Sequence, residues 1–270
     1  MENTQKETLE TDVSSQNIFN FIKKNYPKWT IFIIIINLFF LYIIISSKFI
    51  PFLIFFFIID MIFLGIFSAV KRKAFLKQFA KTNGYTYEAR ADVRLVPSLY
   101  LQMGHSREMT NIISGTYKNS PIKLFEFKCV IGYGKHRRTI QFTTFEITYK
   151  TELKSIFLRS KKNKWAITNL FEGMGDDIRF GKVLKLEGNF NDFFTLYVPE
   201  DYEMEALQIF TPEVMAKLMD TANGFSFEFT GNKLFIYSPN IIHKKEALNN
   251  IFTFAKTLIE DLAPRLERIK

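Results

Sequence analysis

Apolar residues fall along this chain in three regimes. From Trp29 to Val70 they are nearly continuous, broken by Ser46-Ser47-Lys48 and a few isolated polar positions. The first run, Ile31 to Ile45, is interrupted by Asn37 and the amphipathic Tyr42. With Trp29, Thr30 and Ser46 it gives 18 residues, about 27 Å of helix at about 1.5 Å per residue. The second, Phe49 to Val70, has 22 residues and reaches about 33 Å on the same rise. Each length suits a hydrocarbon core of about 30 Å. In lipid the backbone must satisfy its own hydrogen bonds, so both runs are expected as helices. Pro51 falls in the first turn of the second, where its missing N–H costs little. A three-residue connection forces an antiparallel hairpin. A cleaved signal peptide is not expected, because no small-residue cleavage site follows the first run and a second span comes at once.

After Val70 the pattern becomes periodic. Lys71 to Thr82 continues the second helix, with Phe75, Leu76 and Phe79 on one stripe and Lys73, Lys77 and Lys81 on another. Asn83-Gly84 is a C-terminal cap signal. No clear period marks 90–108. Met109 to Tyr117 and Pro121 to Ile131 read as strands joined at Asn119-Ser120. In the second of these Phe125, Phe127, Cys129 and Ile131 share a face. Gly132-Tyr133-Gly134 turns the chain into Thr139 to Tyr149, and Leu153 to Leu158 reads as a further strand.

Beyond 180 the elements shorten. Val183 to Leu186 and Phe193 to Val198 read as strands around Gly188-Asn189, and Met204 to Phe210 as another. Thr211 is placed to cap a helix that has Pro212 at its first position and Val214, Met215, Leu218 and Met219 on its apolar face. Asn223-Gly224 ends it. Phe225, Phe227 and Phe229 alternate with Ser226, Glu228 and Thr230, the pattern of a half-buried strand. Gly231-Asn232 suggests a tight hairpin into Lys233 to Tyr237. Leu248, Ile251, Phe252, Ala255, Leu258, Ile259 and Leu262 have helical spacing, with Pro264 expected to end or kink that helix. The fold class is therefore α+β: a two-helix transmembrane hairpin followed by a mostly antiparallel β-sheet domain with packed helices. The expected domains are a polar, flexible tail at 1–28, the hairpin at 29–70, and an α+β domain at 71–270.

Charge orients this plan. Lys23, Lys24 and Lys28 precede the first helix, and Lys71, Arg72, Lys73, Lys77, Lys81 and Arg90 follow the second. The connecting loop holds only Lys48. The positive-inside rule then puts both termini and the large domain on the cytoplasmic side of a multi-pass protein of the inner, plasma membrane. Cys129 is the only cysteine, so it forms no internal disulfide and is expected as a buried thiol. Residues 71–164 carry 20 Lys and Arg against 6 Asp and Glu, a net of +14; residues 165–270 carry 11 against 16, a net of −5.

The runs Leu186-Glu187-Gly188-Asn189-Phe190 and Phe194-Thr195-Leu196-Tyr197 belong to a pattern, together with Glu205 through Met215 and Leu218. On these residues the chain resembles a bacterial family of membrane proteins with two N-terminal transmembrane helices and a C-terminal cytoplasmic α+β domain of unknown function. Gly104-His105 and Gly115-Thr116-Tyr117 are similar too. The resemblance spans roughly 71–260, and it implies architecture, with no activity to carry over.

Candidate chemistry is sparse. Gly132-Tyr133-Gly134-Lys135 is not a phosphate-binding loop, because Cys129 stands where that motif needs glycine and His136 where it needs Ser or Thr. His105, His136 and His243 lack metal-ligand spacing. Glu172, Asp176 and Asp177 read as a solvated acidic loop, and Ser106 has no nucleophile-elbow context. No catalytic, cofactor or metal site is assigned. Two features stand above that background. Asn37 and Asp60 lie about 10 Å and about 15 Å from the cytoplasmic helix ends at about 1.5 Å per residue, a depth at which polar groups usually face protein. The cations Lys71, Arg72, Lys73, Lys77, Lys81, Lys135, Arg137 and Arg138 are candidate contacts for anionic lipid headgroups. Lys161, Lys162 and Lys164 form a later basic run. The expected partners are the bilayer, anionic headgroups, and a second copy or another protein; nucleic acid is not expected, since no recognised motif supports it. The reading is a membrane-anchored cytoplasmic interaction or sensor module. The alternatives are an enzyme with an unrecognised site in the α+β domain and an accessory subunit of a membrane transporter.

Overall fold

Long stretches of alternating Phe, Ile, Leu and Thr pair into one antiparallel sheet, and helices collect on it. The computed structural model describes residues 51–162, 181–222 and 224–268, together with Ile35, Leu38, Phe39 and Tyr42. The chain divides into two compact units, Met1–Asn83 and Gly84–Lys270.

In the first unit, helix α1 runs unbroken over Pro51–Thr82, 32 residues. It passes from the apolar run into the basic one without a break, as the absence of glycine or proline after Gly65 allows. Ile58, Met61, Ile62 and Ile66 are each more than half exposed and lie on one stripe of it. Further along, Ala74, Leu76, Phe79 and Ala80 are buried, while Lys71, Lys73, Lys77 and Lys81 are exposed. The helix ends at Asn83, whose backbone N–H and side-chain Nδ2 both donate to the Phe79 carbonyl, at 3.1 and 2.9 Å. Of the first expected helix, Ile35, Leu38, Phe39 and Tyr42 are described; they are helical and also more than half exposed. The loop Ser46-Ser47-Lys48, Asn37 and the side chain of Asp60 lie outside the described residues. Among the described residues, no helix is long and apolar enough to cross a membrane.

The second unit is α+β. Its strands are β1 (Thr86–Ala91), β2 (His105–Tyr117), β3 (Ser120–Ile131), β4 (Arg138–Ser160), β5 (Lys182–Leu184), β6 (Phe194–Val198) and β7 (Ser226–Tyr237). They pair in the order β1-β2-β3-β4-β6-β5, with β7 also on β4. Every pairing is antiparallel. The strands read separately as Thr139–Tyr149 and Leu153–Leu158 are one, β4, with 23 residues. Its first half pairs with β3 and its second with β6, while β7 follows it along most of its length. The tight hairpin expected at Gly231-Asn232 is absent. Gly231, at φ 56°, instead carries β7 past the irregularity where β4 spends extra residues between Thr148 and Leu153. A glycine at positive φ serves a bulge as well as a hairpin, and the sequence does not separate the two. Strand β1 went unread, because its burial alternates weakly at the sheet edge.

The helices of this unit are α2 (Phe190–Phe193), α3 (Glu203–Ile209), α4 (Pro212–Thr221) and α5 (Lys245–Leu266). The strand expected over Met204–Phe210 is helix α3. Ala206 and Ile209, three apart, are its buried residues, and Glu203 and Glu205 suit its positive N-terminal end. Thr211 does precede α4, with Pro212 in its first turn, but its side chain makes no capping bond. Helix α5 continues two residues past Pro264; so near the terminus the proline removes little helical bonding. Asn191 closes the Gly188 turn by accepting from the Leu186 N–H at 3.1 Å and donating to the Leu186 carbonyl.

Both faces of the sheet are covered. On one, α5 buries Leu248, Ile251, Phe252, Ala255 and Leu258, with Phe252 edge-on to Phe145 at 4.9 Å and stacked on Tyr85 at 5.4 Å. On the other lies the segment 92–104, which the sequence left unassigned. Its Val93, Val96, Tyr100, Leu101 and Met103 pack into one cluster with Phe127, Cys129, Phe142, Phe157 and Tyr237. Such aromatic burial is the largest favourable contribution to a core of this kind.

Candidate functional site

The segment 92–104 is held down by one carboxylate. Glu228 on β7 is fully buried. Its Oε1 accepts the Leu99 N–H at 2.6 Å, and its Oε2 accepts Ser98 Oγ at 2.8 Å, Tyr237 OH at 2.5 Å and the Tyr100 N–H at 3.3 Å. Ser98 Oγ in turn accepts the Leu101 N–H at 2.9 Å. Burial pushes the Glu228 carboxyl above its ordinary range, against the opposing pull of its four donors. Tyr100 then wedges between Phe142, Phe157 and Tyr237, with ring centroids 5.5, 5.8 and 4.7 Å away. The half-buried pattern expected for Ser226, Glu228 and Thr230 is corrected here: all three are buried, and this segment covers Glu228. An acidic residue alternating with phenylalanines looks the same in sequence whether it faces water or a buried clasp.

Pinning 92–104 brings three turns to one end of the sheet. The first carries a short 3-10 turn, Val93–Leu95, with Arg94 bound through two nitrogens to the Asp92 carboxylate. The second opens β2, where Gly104 has φ 71° and a Cβ there would lie 2.7 Å from the Val130 carbonyl. Ser106 has φ 51° at a register shift between His105 and Glu108, so a bulge accounts for its conformation. The third is the β3–β4 turn. The His105 ring stacks on Tyr133 at 4.7 Å, and its Nε2 lies 3.1 Å from the Gly132 carbonyl. Arg107 donates to the Gln102 carbonyl and to Gln102 Oε1, at 2.5 and 2.9 Å. Between the first two turns is an open cleft of about 460 Å³ lined by Asp92, Arg94, His105, Ser106 and Arg107.

The structure sorts the expected site residues into two groups. Lys135, Arg137 and Arg138 are exposed on the β3–β4 turn, at this end of the sheet. Lys71, Arg72, Lys73, Lys77 and Lys81 are on α1, with Lys71 over the Phe67 ring at 4.4 Å and Arg72 over Phe75 at 6.0 Å. Within the second unit the chain enters beside Thr86, which pairs with Ser114 near the β2–β3 turn. The Lys135 turn is at the opposite end of those strands. Lys161 and Lys162 are exposed past the end of β4, and Lys164, Glu172, Asp176 and Asp177 lie outside the described residues. His136 and His243 are exposed and distant in sequence from His105, and no metal-holding group occurs among the described residues. Sequence reading missed Arg94, Leu95, Arg107 and Tyr133 as members of one surface. The only available signal was that each adjoins a glycine turn or an unassigned segment.

Cys129 is the buried thiol expected of it, and burial raises it to about 11. A second, smaller cavity of about 190 Å³ is lined by Lys118, Thr148, Tyr149, Lys150 and Glu267 at the other end of the sheet.

No family model matches the sequence. No curated protein matches it either. Among solved structures, the crystal structure of the mycobacterial trehalose monomycolate transport factor A, TtfA, is similar over 71% of this chain and 92% of that chain, at 13% identity and a TM-score of 0.48. At that identity and score the likeness says nothing about activity.

Proposed function

We propose that this protein is a membrane-anchored interaction module, in which the hydrophobic N-terminal region holds an α+β unit at the cytoplasmic face of the membrane. The observation that carries the reading is the exposed stripe Ile58, Met61, Ile62 and Ile66 on α1, continued by a basic segment in the same helix. Each side chain is a little over half exposed, so removing it from water is worth about 1 kcal/mol, about half the gain of full burial. Lipid is a medium that covers such a stripe without a partner protein. The cations that follow it suit the headgroup layer, where each is worth about 1 kcal/mol near an anionic surface.

The test is topological. Ser47→Cys in a Cys129→Ala background reacts with a membrane-impermeant thiol reagent in intact cells, while a cysteine at Lys161 does not. Labelling at 161 without labelling at 47 reverses the orientation. Release of the full chain from membranes by alkaline carbonate removes the anchor altogether.

A further inference from the structure

Among the described residues of the second unit, Leu95 and Tyr133 are the two most exposed large apolar side chains, ahead of Met204 at 69%. Leu95 is 82% exposed and Tyr133 is 78% exposed. They come from different turns, 38 positions apart in sequence, yet belong to the same end of the sheet. The His105 ring braces Tyr133, and the Asp92–Arg94 ion pair stiffens the turn that ends in Leu95. Neither tip is a loose excursion. Leu95 projects beyond a segment whose neighbours Val93 and Val96 are buried, and which Glu228 fastens to β7.

The charge around the tips is predominantly positive, and Glu108, next along β2, is paired with Lys128. The three turns, 92–95, 104–107 and 132–138, hold Arg94, Arg107, Lys135, Arg137 and Arg138 against one carboxylate, Asp92, which Arg94 already engages. A protruding aliphatic and a protruding aromatic, ringed by cations, match the layering of an anionic lipid surface. The leucine enters the acyl boundary, the tyrosine stays amphipathic at the headgroup level, and the cations meet phosphates. A nucleic-acid groove would use the arginines and the tyrosine but has no use for Leu95, and one face of Tyr133 is already taken by His105.

We propose that this end of the sheet is a docking surface for anionic bilayers, inserting Leu95 and Tyr133 and holding headgroups with Arg107, Lys135, Arg137 and Arg138. It is separate from the anchor, and within its own unit it lies at the opposite end of β1 from the point where the chain enters. It therefore goes beyond the anchoring proposal, as a second lipid contact made by residues of the second unit alone.

The full chain is placed in nanodiscs of neutral phosphatidylcholine and floated with added vesicles. One set of vesicles is phosphatidylcholine alone, the other an equal mixture with phosphatidylglycerol. Co-flotation is expected with the mixed vesicles only, and added salt should reverse it. Leu95→Ser with Tyr133→Ser should weaken it by about tenfold, the scale of losing one partly inserted apolar side chain or two. Lys135→Gln, Arg137→Gln and Arg138→Gln together should weaken it at least as much, while Lys161→Gln with Lys162→Gln should leave it unchanged. All these positions are exposed, so unchanged circular dichroism keeps folding out of the comparison. Equal flotation with neutral vesicles, indifference to the Leu95 and Tyr133 changes, or tight binding of nucleic acid with none of vesicles would each overturn the proposal. If the chain fails to enter nanodiscs, the anchor is refuted, and the same flotation run on the free chain still decides the docking surface.

Discussion

Replacing Glu228 by alanine should unfasten the segment 92–104. The carboxylate serves four buried donors: the Leu99 and Tyr100 amides, Ser98 Oγ and Tyr237 OH. The two hydroxyls lie 2.8 Å apart and can satisfy each other once it is gone. The two amides cannot. Each buried donor left without a partner costs about 1–3 kcal/mol, and removal of a desolvated acid returns part of that. A net loss of about 2–4 kcal/mol is expected, a large share of the roughly 5–15 kcal/mol that stabilises a typical domain. Glu228→Gln keeps an acceptor for the Leu99 amide and offers its NH₂ to the hydroxyls, leaving the Tyr100 amide without its acceptor, so it should cost about 1 kcal/mol. Denaturant unfolding of the full chain in non-ionic detergent measures both, and hydrogen exchange at Leu99 and Tyr100 localises the effect. The pH dependence has a definite sign. The folded carboxyl sits above its ordinary value, so its protonated form favours the fold. The stability it contributes relative to Glu228→Gln is complete below the unfolded carboxylate pKa and is lost as pH rises through the raised folded value. An alanine variant losing less than about 1 kcal/mol, below the cost of one orphaned amide, would refute the clasp; a pH slope of the opposite sign would show its four donors outweighing burial.

Two further outcomes follow from packing. A Cβ on Gly115 would lie 2.2 Å from the Tyr85 ring, which is itself stacked on Phe252, so Gly115→Ala should lower stability by about 1–3 kcal/mol as the ring is displaced; unchanged thermal unfolding would show that Tyr85 moves freely. With its thiol raised to about 11 by burial, Cys129 should resist a thiol-specific disulfide reagent at pH 8 in the native chain and react at once in denaturant; equal rates in both states would contradict its burial.

The residues alone decided what depends on local pattern. The apolar period and its change after Val70 placed the helix over 71–82. The Phe, Ile and Thr alternation placed β2, β3 and the first half of β4, and helical spacing placed α4 and α5. The face shared by Phe125, Phe127 and Cys129 was legible for the same reason, since a strand repeats every two residues. Cations at Lys135, Arg137 and Arg138 could be singled out by their density at a glycine turn. What needed the tertiary structure was each feature whose cause lies far away in sequence. Gly231 continues its strand instead of turning because β4 bulges opposite it. The Met204–Phe210 run is helical because Ala206 and Ile209 find a core to enter. Glu228 is buried because a segment about 130 positions earlier, with no period of its own, crosses over it. That crossing is also what gathers Leu95, Arg107 and Tyr133 into one surface, since long-range contacts rather than local propensity determine which turns of a sheet end up together.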